Sequence, residues 1–335
     1  MMATKKYQSL LVIFLFWCPK LCFALSNPVQ DLLSRLPIQR PGTDLPKGPD
    51  RILEDLDLVS STEPVLAGVR PVQIPNILSA SLPAIFRLGS GVFADGYSIS
   101  LVRRDDTKYT YATINDRQIE ETGVYKLPDE PLIMYEFEAC PFCRKVREAC
   151  SMLSLPVTFR PTPSGGLKYR PEIKNKFAGS TFPYMIDPNT NVRMFESSDI
   201  VSYLFKVYGN GEIPWTLRGS WVPISAGLGV LTRLGAGGLY RSSNPPDEPL
   251  KLWAYEGSPF CKIVRETLCS LEIPHTVFFT PRGSLQRQKL FELTGRFQVP
   301  YLEDPNNGVS LFESEAIFEY LEKVYAVPNS PVKYM

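Results

Sequence analysis

PLIMYEFEACPFCRKVRE (131–148) and PLKLWAYEGSPFCKIVRE (249–266) are one segment written twice, 118 residues apart. Pro141/Pro259, Phe142/Phe260, Cys143/Cys261, Val146/Val264, Arg147/Arg265 and Glu148/Glu266 stay in register. With a one-residue gap the match continues through Pro183-Tyr184 against Pro300-Tyr301 and Asp187-Pro188-Asn189 against Asp304-Pro305-Asn306. It ends on FESSDIVSYLFKVYG against FESEAIFEYLEKVYA, where nine of fifteen positions are identical. Two copies of one domain follow, at 129–209 and 249–326, each of a size that folds alone.

Within the first copy, Leu132 to Phe137 is an apolar, aromatic-rich run that predicts a strand. A helix begins directly after it, with Cys140 as N-cap and Pro141 in its first position, because proline's missing N–H costs nothing there. Val146, Ala149, Cys150 and Leu153 then recur at helical spacing and face a sheet. Val157–Phe159, Tyr184–Ile186 and Val192–Phe195 read as further strands, with helices near Pro171–Lys176 and over Ser198–Tyr208. The expected fold is α/β: two tandem mixed four-stranded sheets, each with helices on both faces.

Of 335 residues, 36 Lys plus Arg against 35 Asp plus Glu leave a net charge of +1, so no general pull toward nucleic acid exists. Hydrophobic residues at 44% and charged ones at 21% indicate a folded core. Seven Cys and a single His, His275, argue against a zinc centre or a His-based triad and toward thiol chemistry.

Lys5 and Lys6 precede the apolar run Leu10 to Trp17, and Cys22-Phe23-Ala24 follows, so 1–24 reads as a cleavable signal peptide. It is too short for a transmembrane helix, and no stable membrane span is expected in the mature chain. An odd number of remaining Cys argues against a secreted disulfide scaffold. A plastid bounded by extra membranes reconciles signal and thiols, the alternative being secretion or the ER lumen. Residues 25–80 are broken by prolines and read as a Pro-rich linker or transit-like segment. Residues 81–128 read as a small β-rich segment: a hairpin of Tyr97–Val102 with Tyr109–Ile114 around a polar turn, packed on the domain that follows. The connector 210–248 contains an uncharged stretch, 219–232. It reads as partly helical cover for one repeat, membrane contact being the lesser alternative. Residues 327–335 form a tail.

CPFC at a strand-to-helix junction, a proline opening the third strand and Glu-Ser opening the last helix together resemble the thioredoxin superfamily. The likeness is specifically to glutaredoxins and the N-terminal domain of glutathione transferases. From about Leu82 the chain also resembles a plant and algal plastid group with two such domains, in which a segment like Phe86 to Gly91 precedes the first. The resemblance implies glutathione as co-substrate, with protein thiols and disulfides as partners and no metal, an iron–sulfur cluster bridged between chains being a lesser alternative. Cys140, at a helix N-terminus, is the expected nucleophile, and Cys143 the resolving thiol. Pro183 is implied to be cis, freeing the backbone of Phe182 for glutathione. Glu196 and Ser197 resemble the pair that holds the γ-glutamyl end, helix capping being their alternative.

The second repeat offers Ser258 in place of Cys140 but keeps Val299-Pro300 and Glu313-Ser314. Ser258 resembles the thiolate-stabilising serine of some plant transferases, although a structural second domain is favoured. Arg147 and Arg265 read as solvated helix charges, and Cys150, Cys261 and Cys269 as buried spectators. The function expected is glutathione-dependent thiol–disulfide exchange. The alternatives are a non-catalytic scaffold, or a glutathione transferase lacking the usual helical domain.

Overall fold

The computed structural model describes residues 73–124, 126–177 and 181–327. The expected signal peptide and most of the Pro-rich segment and tail lie outside these residues. Helix α1 (Ile74–Phe86) precedes a small sheet of β1 (Ser98–Arg103), β2 (Thr113–Ile114) and β3 (Arg117–Thr122). The first repeat runs β4 (Leu132–Glu136), α2 (Pro141–Met152), β5 (Pro156–Pro161), α3 (Tyr169–Phe177), β6 (Tyr184–Asp187), β7 (Val192–Met194), α4 (Ser197–Tyr208). A 3₁₀ turn at Trp215–Leu217 and helix α5 (Trp221–Leu231) lead to the second. That repeat runs β8 (Leu250–Ala254), α6 (Pro259–Ser270), β9 (His275–Phe279), α7 (Leu285–Thr294), β10 (Tyr301–Asp304), β11 (Val309–Phe312), α8 (Ser314–Val324).

Each repeat is the expected mixed four-stranded, thioredoxin-like sheet, with one parallel pair from the β-α-β crossover and two antiparallel pairs. The helical stripe read from sequence is buried: Val146, Ala149, Cys150 and Leu153 are at most 1% exposed. The Asp-Pro-Asn corners are tied down alike. Asp187 Oδ2 accepts from Tyr203 and Tyr208, both at 2.6 Å, and Asp304 Oδ2 accepts from Tyr320 at 2.6 Å and Tyr325 at 2.5 Å. These bonds pin each last helix to its terminal hairpin.

The repeats do not stand apart. Strands β5 and β9 pair antiparallel, so the sheets fuse into one of eight strands, ordered β11-β10-β8-β9-β5-β4-β6-β7. Thr158 faces Thr276, its equivalent in the other repeat, with the hydroxyl oxygens 2.9 Å apart. A local twofold axis therefore passes through the seam. Fusion disposes of two sheet edges whose unpaired N–H and C=O groups would otherwise invite aggregation. One apolar core runs through both repeats.

At the seam His275 is 3% exposed and stacks on Phe159 at 5.6 Å, with Nδ1 2.9 Å from the Ile273 carbonyl. Burial pushes its pKa down from 6.5 to about 4. Above 6.5 the ring is neutral folded or unfolded and contributes no pH dependence. Between 6.5 and 4 the unfolded chain takes up a proton that the folded one refuses, so stability falls as pH falls through that window. The full loss is about 3 kcal/mol. Denaturant midpoints measured across this range should decline for wild type and flatten for His275→Phe. Parallel declines would place the ring outside the seam.

A further part of the repeat emerges only in three dimensions. Arg87-Leu88-Gly89-Ser90-Gly91 and Arg233-Leu234-Gly235-Ala236-Gly237, 146 residues apart, share backbone conformation, with φ of 53° at Leu88 and 50° at Leu234, 69° and 73° at the next glycines. Each follows a helix, α1 or α5, and the two are exchanged: α1 lies on α6 of the second repeat, α5 on α2 of the first. Gly91 and Gly237 are wedged at the interface. A Cβ on Gly91 would meet Glu256 Cβ at 3.1 Å, and one on Gly237 would meet Glu138 Cβ at 2.7 Å. Gly229 likewise permits α5 to cross α1, since a Cβ there would sit 2.9 Å from Pro83.

Three expectations need correction. Residues 74–86 form a helix across the expected boundary at 80, with Pro75 in its first turn where proline is tolerated. The hairpin is β2 with β3 around Asn115-Asp116, both at positive φ, while β1 pairs with β3; residues 109–112 are not strand. A two-residue turn with two positive φ values suits the twist of a hairpin better than the longer charged turn. Lastly, this sheet docks on the second repeat, not the first. Arg282 pairs with Glu121, and Tyr109 N–H donates to Gln288 at 2.7 Å while its hydroxyl accepts from Arg287 at 2.9 Å.

Candidate active site

Cys140 is the N-cap of α2: its extended backbone (φ −91°, ψ 121°) turns the sulfur toward the first free N–H groups, and Cys143 N–H donates to Sγ at 3.3 Å. The sulfur lies 3.9 Å from the Phe182 carbonyl. Hydrogen bonding from Cys143, side chain first and then backbone, lowers the Cys140 pKa from its ordinary value against the opposing effects of burial and the Glu136 carboxylate. Cys143 moves the other way. Burial, then the neighbouring Cys140 sulfur, holds it well above the usual thiol range. One dithiol thus carries one thiol whose pKa is lowered and one whose pKa is raised, an asymmetry that would suit a nucleophile and a resolving thiol. Cys140 is only 4% exposed, whereas Phe142, two residues on, is 49% exposed.

The Phe182-Pro183 and Val299-Pro300 peptide bonds are both cis. Phe182 is held by a residue that sequence reasoning missed, Arg170. Its guanidinium lies over the rings of Phe182 (4.9 Å) and Phe137 (5.5 Å), while Nη2 donates to the Thr162 carbonyl at 2.8 Å. Arg287 repeats this arrangement in the second repeat, with Nε donating to Thr280 at 3.1 Å and Pro281 at 3.0 Å. Glu196 opens α4 at φ 66°, and Glu313 opens α8 at 67°. Neither Glu196 nor Ser197 caps its helix through the side chain, which removes the capping alternative, and neither side chain bonds another described residue. Carboxylate, hydroxyl and open helix N–H groups stand together, fitting the ammonium and carboxylate of an amino-acid end.

Beneath the site lies a fourth correction. Arg147 and Arg265 are not solvated; they are 1% and 2% exposed, inside a cluster that joins the repeats. Arg147 pairs with Glu136, with Glu138 at 3.3 Å and with Glu256 at 3.3 Å; Arg265 pairs with Glu256 at 2.9 Å and Glu138 at 3.3 Å. Lys262 Nζ adds a bond to Glu138 at 2.9 Å. Burial would push Glu138 up, but Arg147, Arg265 and Lys262 hold its carboxyl well below the usual range. Burial prevails at Glu136, whose pKa is raised to about 7. Sequence could not show this, because each helix charge meets its partner only once the twofold has brought the other repeat alongside. Two residues before Cys140, the active-site loop is therefore anchored by cations of the other repeat.

The second repeat lacks the dithiol. Ser258 caps α6, accepting from Cys261 N–H at 3.3 Å, and is 3% exposed. Cys261 is fully buried, and burial raises its pKa. Glu313, the counterpart of Glu196, accepts a hydrogen bond from Gln298, and the segment between β1 and β2 lays Tyr109 against Phe297 at 4.9 Å. Val299, Pro300 and Ser314 keep their equivalent places without a thiol to serve. Among the described residues no group of three or more His, Cys, Asp or Glu could hold a metal ion.

Two stretches, 134–212 and 252–329, match the family profile of the glutathione S-transferase N-terminal domain. Each repeat is thus similar to a glutathione S-transferase N-terminal domain over most of its length. Curated relatives include the glutathione S-transferase-like proteins OpS6 of Beauveria bassiana and tpcF of Aspergillus fumigatus. They are 31% identical over 78 residues and 30% over 81, or 23% and 24% of this chain. In each case 36% of the relative is covered, so this chain spans about a third of the length of these proteins. No solved structure matches the chain. Similarity to the transferase N-terminal domain suggests a glutathione-related function for these tandem domains.

Proposed function

We propose that the first transferase N-terminal domain is a glutathione-dependent thiol–disulfide oxidoreductase, and that the second is its scaffold. The observation that carries this reading is a lowered thiol at an open helix N-terminus, 3.9 Å from the carbonyl of Phe182. Cys140 thiolate attacks one sulfur of a glutathione mixed disulfide; the S–S bond breaks, and the departing thiolate takes a proton from water. Cys143 then gives up its proton and attacks the Cys140 sulfur, releasing reduced glutathione and leaving a Cys140–Cys143 disulfide. Two glutathione thiols return the two electrons: the first attacks the Cys140 sulfur and frees Cys143, and the second attacks the resulting mixed disulfide, leaving oxidised glutathione and the Cys140–Cys143 dithiol. Glu196 and Ser197 hold the γ-glutamyl end, and Arg170 keeps Phe182 in place for the peptide portion.

Calorimetric titration with glutathione tests the binding half. Wild type should bind, and Glu196→Ala combined with Ser197→Ala should weaken binding by about tenfold or more, each lost charged hydrogen bond being worth roughly 1.5–3 kcal/mol. Equal affinity in wild type and variant would remove this pair from the site. A transferase reading is weakened at Ser258, because the second domain's acidic residue is engaged by Gln298 and its flank is covered by the segment between β1 and β2.

A further inference from the structure

Helices α1 and α5 contain no charged residue over 13 and 11 positions. Their inner faces are buried, through Ile77, Ala80 and Ala84 on α1 and Val222 and Ala226 on α5. Their outer faces are aliphatic as well. On α1, Leu78, Leu82 and Ile85 are 48%, 37% and 39% exposed; on α5, Ile224, Leu228 and Leu231 are 67%, 47% and 69% exposed. The helices cross at Gly229 and Pro83 and cover the same layer of α2 and α6, so the two stripes share one outward surface. Each is continued by a leucine of the repeated Arg-Leu-Gly turn, Leu88 and Leu234, 48% and 76% exposed. Both leucines sit at positive φ, a conformation that L-residues with large side chains avoid. The fold accepts this backbone at both equivalent places and leaves both side chains in water.

An apolar area of this kind marks a contact site, and its chemistry selects the partner. Protein interfaces rely on Trp, Tyr and Arg anchors within a polar rim that fixes register through hydrogen bonds. These helices bring aliphatic groups with no ionisable side chain, which suits a fluid hydrocarbon that needs no register. Beside them Trp215, 64% exposed, stacks on Trp221 at the start of α5 at 5.8 Å, and tryptophan settles at headgroup depth. At 1.5 Å per residue the helices reach only about 20 and 17 Å, short of a bilayer's roughly 30 Å core. No helix among the described residues is long and apolar enough to cross a membrane. We propose that α1 and α5 lie in the plane of a lipid bilayer and insert this shared face into the headgroup–acyl boundary of one leaflet. The proposal is independent of the chemistry at Cys140.

Co-sedimentation of the full chain with phosphatidylcholine vesicles tests it. Binding should occur without anionic lipid, should survive high salt, and should fall about tenfold or more in Leu228→Glu/Leu231→Glu and again in Leu82→Glu/Ile85→Glu. These side chains are exposed, so both variants should keep the wild-type melting curve. The run Leu10–Trp17 could partition into lipid by itself; the variants retain it, so only the drop they produce reports on α1 and α5. No binding, binding unchanged in folded variants, or binding only when phosphatidylserine is added would overturn the proposal. So would light scattering that shows a lipid-free dimer dissolved by Leu228→Glu/Leu231→Glu, since a second copy would then be the occupant.

Discussion

Cys140→Ser should abolish reduction of a glutathionylated substrate, by about three orders of magnitude, because a hydroxyl at the same N-cap is not ionised near neutral pH. The N-cap geometry itself survives the change, as Ser258 shows by accepting from Cys261 N–H at the distance seen for Cys140, 3.3 Å. Loss of activity would therefore report on sulfur and not on folding. Alkylation should single out Cys140 and titrate below the ordinary thiol value of 9.0. Cys143→Ala should move that titration upward, because the Cys143 side chain is the largest influence holding the Cys140 thiol down. Full activity in Cys140→Ser, or a wild-type alkylation profile centred at or above 9.0, would end the oxidoreductase reading.

Arg147→Met should cost about 3–5 kcal/mol of stability, the range for removing one partner from a buried ionic cluster. The guanidinium is 1% exposed and answers three carboxylates, Glu136 and Glu138 of its own repeat and Glu256 of the other. Methionine fills much of the volume, so packing loss contributes little and the uncompensated carboxylates dominate. Urea unfolding measures it, the fall in midpoint at constant slope giving the loss. A change below about 1 kcal/mol, the range of exposed pairs, would mean that water reaches the cluster. Because the affected carboxylates span the seam, unfolding should remain a single transition in which neither repeat melts ahead of the other.

The elements of each repeat could be read from local pattern. A strand-to-helix junction at Cys140-Pro141, an apolar stripe at Val146, Ala149, Cys150 and Leu153, and the Asp187-Pro188-Asn189 corner are short-range features whose period and turn chemistry act within a few residues. Of the candidate site, the Cys140–Cys143 motif at its helix start was marked by local signals, whereas Pro183, Glu196 and Ser197 were singled out by the family resemblance. Arg170 carries no such mark, because its aromatic and carbonyl partners come from three separate segments. The small sheet is misleading in sequence because its charged turn outweighs Asn115-Asp116, and its docking partner lies more than 160 residues along the chain.

By itself the sequence determined that one domain is written twice, that a CPFC dithiol opens the first helix of the first copy, and that a serine stands in place of its first cysteine in the second. These depend on repetition, capping and side-chain identity, which need no knowledge of distant neighbours. Only tertiary structure decided that the copies share one sheet through β5 and β9, that α1 and α5 are exchanged across it, and that Arg147 and Arg265 are buried. A charge on a helix looks the same in sequence whether it faces water or another domain. Its environment is fixed only when the twofold closes and brings the opposing carboxylates within reach.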